Sequence, residues 1–173
     1  MIRIWSRIAG SVVVFVLVQV LVMNNIHLFG VVVPFIYLYV ILKLPVDITR
    51  SNIVLISFFV GLIIDVFSNT FGMHAAACTL AGFVRTPLLE RLADVRDVPE
   101  GSVPSYKLFG LVRFVRYTIL FVSIHHVALF VIESFTFFQP LMMITRTVSS
   151  ILFTLLLIFI LEAFNLNILK SGE

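Results

Sequence analysis

Apolar residues run along this chain in six long blocks, about 8–26, 30–44, 53–67, 71–88, 114–133 and 147–165, separated by polar breaks. A bilayer core about 30 Å thick takes about 20 helical residues to cross. The pattern therefore predicts an all-α polytopic membrane bundle of six transmembrane helices, forming a single domain over residues 1–173. Blocks two and three are short for a span and must borrow flanking residues or thin the bilayer locally. Blocks three and four meet at a polar tip, Ser68-Asn69-Thr70, which predicts a helical hairpin. Small residues recur along both arms at helical spacing: Ser57, Gly61, Asp65 and Ser68 on the first, Gly72, Ala75, Thr79, Gly82 and Thr86 on the second. Lipid tails are as apolar as leucine, so membrane helices associate where small residues let backbones approach. The two stripes are expected to be packing seams, with the hairpin as the core.

Composition strengthens the membrane reading. Of the 173 residues, 61% are hydrophobic and 12% charged, where soluble domains carry roughly 25% charged residues. The net charge of +3 does not point to nucleic acid, because the basic residues lie between apolar blocks and report topology. Eleven of the twelve Lys and Arg residues fall at the termini or in and bordering the breaks after blocks two and four; Arg146 is the exception. The positive-inside rule then predicts cytoplasmic termini and a cytoplasmic loop at about 85–116. Arg3 and Arg7 precede an apolar run with no small-residue cleavage site after it, so an uncleaved first span is expected. Within the loop, Thr86-Pro87 reads as a helix restart. Leu88, Leu89, Leu92 and Val95 would line one side of a short interfacial helix, opposite Glu90, Arg91, Asp94 and Asp97. The loop is then either a partner-docking surface or a solvated connector.

Polar residues inside the blocks are the candidates for chemistry. An Asp at the centre of a membrane helix costs about 2.5–3.5 kcal/mol and usually faces protein or water. Asp65 is expected to clamp the hairpin, accepting from the His74 imidazole or from amides opening the fourth block. Gln19 must find a partner in hydrocarbon, most simply an interhelical hydrogen bond. His125 and His126 sit nine or ten residues beyond Arg116, about 13.5 Å deep at ~1.5 Å per residue. His126 shares a face with Ser123, Phe130 and Glu133; His125 points elsewhere. Ser150, Thr154 and Glu162 add polarity to the last block, and Tyr37 and Tyr39 suggest interfacial anchors. No local pair has metal-ligand spacing and no serine has a nucleophile-elbow context, so neither a metal, a cofactor nor an enzyme is expected. Cys78, the single cysteine, is expected to pack.

The stretch G-L-I-I-D-V-F-S-N-T-F-G-M-H-A, residues 61–75, resembles the rod shape-determining protein MreD family: Gly-x3-Asp, a polar turn, then Gly-x-His-Ala. Gln19 in the first block, and Pro34 opening an aromatic-rich second one, are also similar to that family. The resemblance implies a non-enzymatic scaffold of the bacterial cell-elongation complex, the elongasome, that regulates peptidoglycan synthesis and cell shape. It implies MreC as a partner, with MreB and wall-synthesis enzymes beyond it, and no nucleic acid. It also implies a fold similar to the substrate-binding component of energy-coupling-factor transporters, which supplies the alternative function. Residues expected to serve structure or partner binding are Gln19, Gly61, Asp65, Gly72, His74, Gly82, His126 and Glu133.

Overall fold

The computed structural model describes residues 2–25, 32–93, 95, 98–134 and 140–170. Seven α-helices lie among them: α1 (Ile2–Leu21), α2 (Leu38–Leu42), α3 (Arg50–Ser68), α4 (Met73–Leu92), α5 (Tyr106–Phe109), α6 (Leu111–Ser134) and α7 (Pro140–Lys170). Three stretches are long and apolar enough to cross a membrane: α3, α6 and Pro140–Phe164 of α7. In α1, Ile8–Leu21 is a shorter apolar helix. These features mark a membrane protein built from helices.

The second apolar block does not form a membrane-length helix. Only Leu38–Leu42 is helical, and residues 33–35 carry no regular structure. Its first two residues, 30 and 31, lie outside the described residues, as do Ile26, Asp94, Arg96 and Asp97. Pro34 explains the break, because it has no N–H to donate and biases Val33 toward extended backbone. Irregular backbone at membrane depth is tolerated where protein satisfies its polar groups. Here three side chains from other elements do so. Ser150 accepts from Val33 N at 3.0 Å, Thr154 from Phe35 N at 3.1 Å, and Gln19 from Ile36 N at 2.8 Å. The Gln19 amide also donates to the Pro34 carbonyl at 3.0 Å.

Helix α4 is the centre of the assembly, packing most extensively on α3 and next on α6, while α1 leans on α3 and α2. Small side chains, Ala75, Ala77, Cys78, Ala81 and Gly82, make up most of its buried face, so both neighbours come close. A Cβ on Gly61 would lie 2.6 Å from Ala75 Cα and 2.7 Å from Ala75 N. On Gly82 it would lie 2.8 Å from Ser57 Cβ. Gly72 departs from the expected stripe. It precedes α4 at φ +79°, with open space where a Cβ would stand, so its task is the turn and not the seam.

No restart occurs at Thr86-Pro87; α4 runs through it to Leu92. Pro87 cannot bond the Phe83 carbonyl four residues back. The Arg50 guanidinium instead donates to that carbonyl at 3.4 Å and stacks 4.3 Å from the Phe83 ring centroid. Arg85, expected in the loop, is buried on α4 and donates to the Leu44 carbonyl just past α2. The connection beyond α4 is tied down as well. Val46 N donates to the Ser102 carbonyl at 2.9 Å, and Gly101 N to Asp47 Oδ1 at 2.9 Å. Lys43 Nζ reaches the Pro104 carbonyl at 2.6 Å while pairing with Glu162 at 2.9 Å. Tyr39, expected as an interfacial anchor, instead donates its hydroxyl to Glu162 at 3.0 Å.

Candidate functional site

The hairpin tip concentrates the polar chemistry. Helix α3 ends on Asn69, whose left-handed φ of 54° is one that Asn tolerates. Gly72 opens α4 and, lacking a side chain, cannot cap it. Asp65 supplies that function from the preceding helix. Its carboxylate accepts from His74 N at 3.0 Å and Ala75 N at 2.8 Å, and from the Thr70 hydroxyl. Those amides are among the donors a helix start leaves open, and the helix dipole favours a negative charge there. The clamp therefore runs through backbone amides and not through the His74 imidazole. Gly61 lies one turn before Asp65 and brings the backbones close enough for it.

The His74 ring turns inward instead. Its Nδ1 lies 2.9 Å from the Tyr37 hydroxyl, which also lies 3.0 Å from His125 Nε2. Cys78 Sγ is 3.6 Å from the same His125 nitrogen. Phe35 stacks among them, its centroid 5.4 Å from the His74 ring, 5.9 Å from His125 and 5.2 Å from His126. His125 Nδ1 is buried without a partner among the described residues. A buried N–H without a partner is rarer than a bare acceptor lone pair. That assigns the proton of His125 to Nε2, donating to the Tyr37 oxygen. The Tyr37 hydroxyl then donates to His74 Nδ1, and His74 carries its own proton on Nε2.

His126 belongs to a separate chain. The Val122 carbonyl, 2.9 Å away, can only accept, so Nδ1 carries the proton. His126 Nε2 then accepts from the Thr154 hydroxyl at 3.1 Å, and that oxygen accepts from Phe35 N. The adjacent histidines thus serve different hydrogen-bond partners, with the Phe35 ring against both. Both hold the broken segment, His125 through Tyr37 and His126 through Thr154.

Glu133, which shares the His126 face of its block in sequence, has a side chain 38% exposed and paired with Arg146 at 2.9 Å. The Arg146 guanidinium also sits 5.0 Å from the Phe130 ring centroid. Between this pair and the hairpin tip is a cavity of about 340 Å3, with His74, Ser68, Thr70 and Asn24 among its lining residues. Asn24 bridges Ser68 Oγ and the Gln19 amide, both at 2.9 Å. No group of three or more His, Cys, Asp or Glu among the described residues is arranged to hold a metal ion.

Sequence reasoning missed Tyr37 as the hub of this cluster, and Ser150 and Thr154 as partners of the broken segment. Pro34 was the available signal, since a proline within an apolar block frees backbone groups that nearby hydroxyls and amides must satisfy. Comparison with known proteins adds nothing to the geometry: no family profile, curated protein or solved structure matches the chain.

Proposed function

We propose that this chain is a non-enzymatic integral membrane scaffold of the bacterial cell-elongation complex, related to the MreD family. It would bind membrane-anchored MreC and act with MreB and wall-synthesis enzymes to regulate peptidoglycan synthesis and cell shape. One observation carries the reading. Three of the residues that give stretch 61–75 its resemblance serve to fix one rigid hairpin: Gly61 by backbone approach, Asp65 by capping α4, Gly72 by the turn. A motif spent on shape suits a protein whose output is a surface. In this reading α1, the broken segment with α2, and α4 complete six crossings of the inner membrane, and both termini are cytoplasmic. Reciprocal pull-down with MreC encoded in the same genome tests it. Recovery of the pair from detergent extract is the expected result, and its absence under in-cell crosslinking refutes the proposal.

The second reading is a substrate-binding membrane component of an energy-coupling-factor-type transporter, favoured by the cavity beside His74. Co-purification with an ATPase module in place of MreC would decide for it.

A further inference from the structure

We propose that the cavity at the hairpin tip binds a small zwitterion, its carboxylate on Arg146, its ammonium on Glu133, and an acceptor on its body hydrogen-bonded to His74. The inference concerns binding alone and stands under either functional reading. A volume of about 340 Å3 sits at the small end of ligand pockets, which run from roughly 300 to 1,000 Å3. Charges of both signs stand at one edge, 2.9 Å apart with both side chains 38% exposed. An ion pair that open is weakly held and can be exchanged. A ligand with one charge would release one member of the pair with nothing in return. A zwitterion offers each member an opposite charge, so the pair selects for a ligand bearing both.

The third contact comes from His74, which is only 7% exposed and lines the same cavity. Its Nδ1 is taken by Tyr37, and Nε2 has no partner among the described residues. The proton assignment above makes that nitrogen a donor. Phe35, Leu129 and Met73 supply apolar wall around it. A dipeptide meets these terms, with two terminal charges and a peptide carbonyl between them.

The test uses the full chain in lipid nanodiscs with three probes: glycyl-phenylalanine, its N-acetyl form and its C-terminal amide. Titration calorimetry should show saturable binding of the free dipeptide and at least about tenfold weaker binding of each blocked form. The ¹⁵N resonance of His74 Nε2 should shift with the free dipeptide. The doubly substituted Glu133→Gln, Arg146→Gln chain should keep its unliganded melting temperature and lose binding at least about tenfold. No binding of the free dipeptide at about 10 mM, equal binding of all three probes, binding of one blocked form alone, or undiminished binding by the doubly substituted chain would each overturn the proposal.

Discussion

Three glycine-to-alanine substitutions separate backbone packing from side-chain packing in the hairpin. Helix propensity alone favours Ala over Gly by about 1 kcal/mol, and nothing lies within 4 Å of the place a Cβ on Gly10 would take. Gly10→Ala should therefore be neutral or stabilising by up to about 1 kcal/mol. At Gly82 the added methyl meets the Ser57 side chain, with Ser57 Cβ 2.8 Å away. Overpacking costs about 1–3 kcal/mol, so the net loss should be about 0–2 kcal/mol after the propensity gain. Ser57→Gly removes the two nearer atoms and leaves only the Ile53 carbonyl oxygen at 3.3 Å, so the double substitution should recover most of that loss in a double-mutant cycle. At Gly61 the methyl meets only backbone: the His74 carbonyl oxygen at 2.5 Å and Ala75 Cα at 2.6 Å. No side-chain deletion relieves that, so α3 and α4 must separate and loosen the Asp65 clamp. The loss there should reach or exceed about 3 kcal/mol, beyond rescue by Ser57→Gly. Thermal unfolding in a single detergent, followed by circular dichroism, ranks the variants. If Gly61→Ala and Gly82→Ala melt with Gly10→Ala, neither contact is a seam and the hairpin is not the rigid core.

Asp65→Leu strands two amides and a hydroxyl at about 1–3 kcal/mol each, whereas Asp65→Asn retains part of the bonding; folded yield in detergent should fall much further for Leu. Thr154→Val removes the acceptor for Phe35 N and the donor to His126, so it should lower stability by about 2 kcal/mol or more, with Ser149→Val, a half-buried position on α7 whose hydroxyl bonds only its own helix, as the mild control. Arg50→Gln should cost measurably less in a Pro87→Ala background, where an amide is restored to the Phe83 carbonyl that Arg50 now serves; equal costs in a double-mutant cycle would show that the proline and the arginine are uncoupled.

The hairpin was legible because each of its signals is local. Gly61, Asp65 and Asn69 lie within three turns of helix, and the spacing of small residues along α3 describes one face without reference to the rest of the fold. Even there, spacing could not distinguish Gly72 in the turn from Gly82 in the seam, since both continue the same three-and-four pattern. The broken second block was hidden for the opposite reason. Hydropathy sees side chains, and residues 33–42 are as apolar as any span. What permits the irregular backbone lies 17 residues before it, in Gln19, and 117 and 119 residues after it, in Ser150 and Thr154. Each looks like an ordinary polar residue on an apolar helix until the chain is folded. Arg85 was obscured similarly: charge placed it with the loop, while the Leu44 carbonyl just past α2 holds it inside.

These partnerships explain why the centre of the bundle is polar at all. A continuous helix over the second block would have satisfied its own backbone and left Gln19, Ser150 and Thr154 stranded. The break reverses the problem, because the amides of Val33, Phe35 and Ile36 each meet a side chain that hydrocarbon alone would penalise. Tyr37 extends the scheme. It follows the break, and its hydroxyl lies between His74 on α4 and His125 on α6. The irregular segment therefore joins the hairpin to α6 through Tyr37 and to α7 through Ser150 and Thr154. Apolar contact could slide among these helices in lipid at little cost, whereas directed bonds to a fixed backbone cannot. The register of the hairpin against the rest of the bundle is thus set by hydrogen bonds, and the cavity walled by Phe35 and His74 takes its shape from the same bonds.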